Sequence, residues 1–174
     1  MRKLTLLIIL VATAAVALPQ QMQMPMPKTS GPQSDAQKAF EKMKTLAGTW
    51  EGTYMGMSGK VTIRVTSTGN AILHEMTASG PDDPITMIYV DGDRLLLTHF
   101  CDSGNRPRMQ GKLSPDGNTV TFDFLDVSGS AEKFLMHDIV FTMVDADHHI
   151  ETFTYSVNGK PPLRAPGIQL QRTK

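Results

Sequence analysis

One stretch of this chain gathers most of its reactive side chains. It runs Leu97-Thr98-His99-Phe100-Cys101, followed by Gly104-Asn105-Arg106-Pro107-Arg108. Side chains alternate along a β-strand, so His99 and Cys101 share one face with Leu95 and Leu97. A His beside a Cys can generate a thiolate nucleophile, and Arg106 and Arg108 could lower the thiol pKa further. That pattern would suit peroxidase-like or acyl-transfer chemistry. Second neighbours on a strand lie about 7 Å apart at Cα, however, so the spacing alone makes no hydrogen bond. The competing reading is an inert Cys beside a hydrogen-bonded core His. Both faces of the strand are rather apolar, which leaves open the one that looks inward. The two guanidiniums either clamp a carboxylate or phosphate at the mouth of a cavity or sit on a solvated rim, paired with Asp93 and Asp102.

The remaining candidates are more dispersed. His74, His137 and Tyr89 join His99, Cys101, Arg106 and Arg108 as possible ligand contacts. No His-x-His or His-Glu-x-x-His pattern and no second Cys occurs, so a zinc site has no support. His148-His149 follows Asp145-Ala146-Asp147 and reads as a solvated hairpin tip. Glu75, Glu151, Asp123 and Asp138 fall on strands among apolar neighbours. Strand alternation places them outward in water; an inward carboxylate would be desolvated and could act as acid or base. Met22, Met24 and Met26 alternate with Gln and Pro. Thioethers favour Cu(I), but no His or Cys joins the run, so a plain tether is the simpler reading.

Elements must position these groups. Ser34–Ala47 is expected to be a helix, with Ser34 and Gln37 at capping-box spacing. Ala36, Ala39, Phe40, Met43, Leu46 and Ala47 form one apolar stripe. Gly48 stands where a left-handed glycine ends a helix. After it the period becomes two, predicting strands near 49–55, 60–68, 71–78, 85–91, 94–101, 108–113, 119–125, 136–144, 149–156 and 167–172. Asp91-Gly92, Asn158-Gly159, Thr68-Gly69-Asn70 and Ser114-Pro115-Asp116-Gly117-Asn118 supply turns. A two-residue loop at Asp91-Gly92 would pair Val90 with Asp93 and Ile88 with Leu95. The segments 127–133 and 161–166 read as loops. About ten meandering strands fit an all-β, up-and-down antiparallel barrel of about eight to ten strands, which closes to remove its edges.

The first residues carry an address. Arg2 and Lys3 precede an apolar run from Leu4 to Val16, and Ala15-Val16-Ala17 offers a signal-peptidase site. The reading is a signal peptide over 1–17, a Met/Pro/Gln-rich linker over 18–33 without a stable fold, and a barrel domain over 34–174. Export to a periplasm or beyond the cell follows, with no stable membrane anchor. Loss of Arg2 and Lys3 leaves 15 basic against 17 acidic side chains, a net of −2. That balance gives no footprint for nucleic acid. The single Cys excludes an intrachain disulfide.

Gly48-Thr49-Trp50-Glu51-Gly52 behind a short helix resembles the first strand of the lipocalins, within the calycin superfamily. It is also similar to the Gly-Thr-Trp-x-Gly opening of nitrobindin-like haem barrels. Uncharacterised exported barrel domains carry segments similar to 97–101 and 104–109. The resemblance implies that Trp50 plugs one barrel end beneath a basic residue of the last strand, with Arg172 the natural match and Arg164 the second. It implies an interior for a small apolar or amphipathic ligand. Haem would need an axial His from His99, His137 or His74, and the late-strand His of nitrobindin-like barrels has no counterpart in the final strand here. No cofactor is expected. A barrel filled by its own side chains, and an enzyme using His99, Cys101 and Arg108, are the alternatives.

Overall fold

A computed structural model describes residues 32–54, 56–78 and 80–173. The expected signal peptide, nearly all of the expected linker and the Met22-Met24-Met26 run lie outside the described residues. Helix α1 (Asp35–Lys44) precedes eleven strands: β1 (Gly48–Tyr54), β2 (Met57–Thr66), β3 (Ala71–Ala78), β4 (Ile85–Asp91), β5 (Arg94–Phe100), β6 (Arg106–Leu113), β7 (Thr119–Ser128), β8 (Phe134–Met143), β9 (His148–Val157), β10 (Leu163–Arg164) and β11 (Ile168–Arg172). Strands β1 to β9 pair in sequence, and β11 closes the ring between β9 and β1. The result is an all-β, antiparallel, up-and-down barrel of ten strands, with the two-residue β10 appended to β9.

Local details differ from the sequence expectations. Ser34 does cap α1, its hydroxyl accepting from Gln37 N at 3.1 Å, but the helix ends at Lys44. Thr45 turns the chain by bonding back to Lys42 O through both its amide and its hydroxyl. Gly48 is not a left-handed stop. It opens β1 at φ 145°, where a Cβ would overlap the Arg172 guanidinium. The β4–β5 turn is Gly92-Asp93, so Ile88 faces Leu97 and Val90 faces Leu95. The register moves by two residues, so faces are kept while partners change, and His99 comes to face Thr86. Strand β7 runs on to Ser128, shortening the expected loop at 127–133, and β10 lies inside the one at 161–166.

The closed half of the barrel is filled. Trp50, Ile72, Ile88, Leu95, Leu97, Met109, Phe122 and Phe141 are fully buried there. Phe40, Met43 and Leu46 bring the apolar stripe of α1 into the same core, and α1 packs on β4, β5 and β6. Trp50 Nε1 donates to Leu46 O at 2.9 Å, tying helix to barrel.

Candidate functional site

Two rings of side chains define the barrel ends. At the closed end Arg172 lies over Trp50, its guanidinium carbon 4.0 Å from the indole centroid. Its nitrogens donate to Ala47 O at 2.7 Å, Thr45 O at 3.2 Å and Ala146 O at 3.0 Å. Arg172 therefore covers the Trp and satisfies carbonyls that follow the helix. Arg164 is exposed on β10, paired with Thr154, and takes no part.

The other half holds a cavity of ≈ 400 Å³. Its lining comes from the opposite ends of the strands: Met76, Thr86, His99, Phe134, Met136, Phe153, Tyr155 and Ile168, with Asp82, Pro84, Cys101 and Asp102 on the loops at its mouth. Below it lies a buried polar cluster. His74 Nε2 donates to both oxygens of Glu151 at 3.1 Å, and His149 Nε2 donates to Glu151 Oε1 at 2.9 Å. His149 meets the Trp50 ring edge-on at 4.2 Å, so this cluster connects the cavity to the barrel plug.

Burial opposes ionisation of Glu151, but the His74 charge and the hydrogen bonds from both imidazoles outweigh it and hold the carboxyl down to about 2. Burial likewise opposes charge on His74, and the Glu151 carboxylate and its hydrogen bond reverse that and raise its pKa. The two form a buried ion pair. His99 behaves oppositely. Burial, with the nearby His74 charge, pushes it down to about 4, so it is neutral at ordinary pH. Thr86 Oγ1 and His99 Nδ1 share a hydrogen bond of 2.9 Å, which orients the ring.

The sequence candidates divide between cavity and outer surface. His74, His99 and Cys101 line the cavity. Cys101 Sγ hydrogen-bonds Ser103 Oγ at 2.9 Å while His99 Nδ1 goes to Thr86, so no His–Cys hydrogen bond forms. Arg108 makes a two-pronged exposed pair with Asp126, and Arg106 lies over Phe100 and donates to Asn105 O at 2.9 Å; neither pairs with Asp93 or Asp102. Tyr89 does not line the cavity; its neighbours on the sheet are Ala71 and Leu96. His137 is displaced by a register shift between Met136 and Asp138, which brings Met136 to the cavity opposite Tyr155. His137 bonds Ser156 Oγ at 3.1 Å instead.

Two sequence readings are overturned. His149 is not part of a solvated tip: it is 1% exposed, whereas His148 is exposed and pairs with Asp145. Glu151 points inward at 0% exposure, while Glu75 and Asp123 face outward near Arg64 and Lys112. The signal was present but weak. His149, Glu151, Phe153 and Tyr155 stand at period two, yet Ile150, Thr152 and Thr154 make the opposite face equally plausible as a core.

Comparison of the fold places it among known barrels. The chain is similar to the crystal structure of Rv2717c from M. tuberculosis, at 14% identity and a TM-score of 0.58, covering 78% of this chain and 98% of that one. It is also similar to a protein of unknown function from the DUF3598 family of Nostoc punctiforme, at 13% identity and a TM-score of 0.54, covering 75% of this chain and 49% of that one. The shared feature is the fold. No family model and no curated protein matches the sequence.

Proposed function

We propose that this chain is an exported, lipocalin-like protein that binds a small apolar or amphipathic molecule in the open half of its barrel. The cavity carries the reading. Its ≈ 400 Å³ falls in the range of small-molecule sites, and its wall is mostly apolar with a few converging polar groups. Met76 and Met136 lend that wall adaptable side chains, while Met109 and Met143 pack in the core. The Gly48-Thr49-Trp50 opening and the Arg172 cover support the lipocalin-like assignment. The residues at 1–17 support export, which amino-terminal sequencing of the secreted protein would check.

An enzyme built on His99, Cys101 and Arg108 has less support, because these three side chains hydrogen-bond three different partners. Haem also fits this lining poorly. Of the three axial candidates, His74 Nε2 is engaged by Glu151 and His137 Nε2 by Ser156, which leaves only His99 Nε2, and the mouth offers two carboxylates and no Arg or Lys to the propionates.

The test is uptake of the neutral apolar dye Nile red by the native barrel. Fluorescence should rise on binding and fall again in Met136→Trp, whose side chain would fill the cavity. Absence of any gain with the native protein would sink the reading in favour of a structural role.

A further inference from the structure

The charges around the cavity narrow the class of ligand, granted that the cavity binds one. Among the described residues no Lys or Arg lines it. The His74 charge is matched by Glu151. His99 is 5% exposed, and its Nε2 has no hydrogen-bond partner among the described residues. This nitrogen is not fully enclosed, so it offers a ligand one hydrogen bond without any charge.

The mouth is acidic. Asp82, Asp102 and Cys101 bring two carboxylates and a thiol within 4.8 Å of one another. Asp82 is held in place by accepting the Asp102 amide at 3.1 Å. Burial, opposed by that hydrogen bond and helped by the neighbouring Asp102 charge, raises its pKa. Two carboxylates so close repel each other, and a cation seated between them relieves the repulsion. Aromatic rings attract cations through their faces, and Phe134 and Tyr155, stacked at 5.4 Å, line the same cavity. The apolar wall beneath gives an organic cation a place for its chain that a bare metal ion would leave unused.

We propose that the cavity takes a lipophilic amine, its ammonium group held at the mouth by Asp82 and Asp102 and its chain in the apolar interior. This inference rests on the binding reading above. Three probes of equal chain length separate the two: n-decylammonium, n-decanol and n-decanoate, each titrated below its micellar concentration against Nile red bound to the full chain at pH 7. Decylammonium should bind at least about tenfold more tightly than decanoate. The preference should shrink in high salt. It should also shrink in the Asp82→Asn/Asp102→Asn double variant, with decanol unaffected. Decanoate binding as well as decylammonium, or a preference insensitive to salt, overturns the amine while leaving the cavity a ligand site. Failure of all three probes to displace the bound dye overturns the amine alone, whereas a chain that takes up no Nile red overturns both. Should the double variant not fold, the salt dependence of the native protein decides.

Discussion

His74 and Glu151 meet at 3.1 Å beneath the cavity although 77 residues separate them in the chain. Neither is usefully exposed, so each depends on the other for solvation. Removing one partner leaves the other charge buried and unpaired. Glu151→Gln should therefore destabilise the barrel by about 3 kcal/mol, read from urea denaturation at pH 6. A loss within error of zero would mean that the pair is not charged in the folded protein.

The same pair shapes the dependence of stability on pH. Glu151 is depressed, so its contribution is present above the ordinary carboxylate pKa and is lost as pH falls towards about 2. His74 is raised, so its contribution is complete below the ordinary imidazole value and fades as pH rises through the folded pKa. His99 is depressed to about 4, which favours the neutral ring in the folded state and weakens folding as pH falls from about 6.5. The His99 contribution alone is about 3 kcal/mol by linkage. Together they place the stability maximum near the ordinary imidazole pKa. Resonances of His99 should titrate near pH 4; a midpoint at the ordinary value would contradict its burial beside Thr86.

Arg172 is expected to matter through several contacts at once. Arg172→Ala removes the cover from Trp50 and the hydrogen bonds to Ala47, Thr45 and Ala146. A loss of about 2–3 kcal/mol should follow. Trp50 is the only Trp in the chain, so its fluorescence reports the site directly. The emission should shift to the red in the folded variant, and an unshifted spectrum would show that the indole stays covered without the guanidinium. Arg172→Lys should rescue little, because an ammonium has no planar fork to stack and bond in three directions.

Gly52 has a backbone reason to be glycine. A Cβ there would collide with the Gln169 carbonyl oxygen on β11, where β1 closes the barrel. Gly52→Ala should cost about 1–3 kcal/mol, seen as a lower thermal midpoint. An unchanged midpoint would mean that β1 and β11 can separate freely.

Much of the architecture was legible before folding. The ten strands of the closed ring, the leading helix and its Ser34 cap follow from period and turn chemistry, because those signals are local. The site was legible only in part. Period two puts His99 and Cys101 on one face but cannot say which face is inside when both are apolar. The shift at Met136–Asp138 replaced His137 by Met136 at the cavity, and an irregularity of that kind leaves no trace in composition. Glu151 was misread because an isolated acidic residue on a strand is ordinarily solvated. Its inward position is stabilised by His74 and His149, and only the closed sheet brings all three together.

By itself, then, the sequence determines an antiparallel barrel of about eight to ten strands, its leading helix and the places where the chain turns, since hydrophobic period and turn residues act over a few positions. The tertiary structure alone decides that the barrel is filled at the Trp50 end and open at the other. It alone decides that His74 and His149 both bond Glu151, that Arg106 and Arg108 stay outside, and that Asp82 and Asp102 crowd the mouth. Those outcomes depend on register and closure, which set distances between residues far apart in the chain.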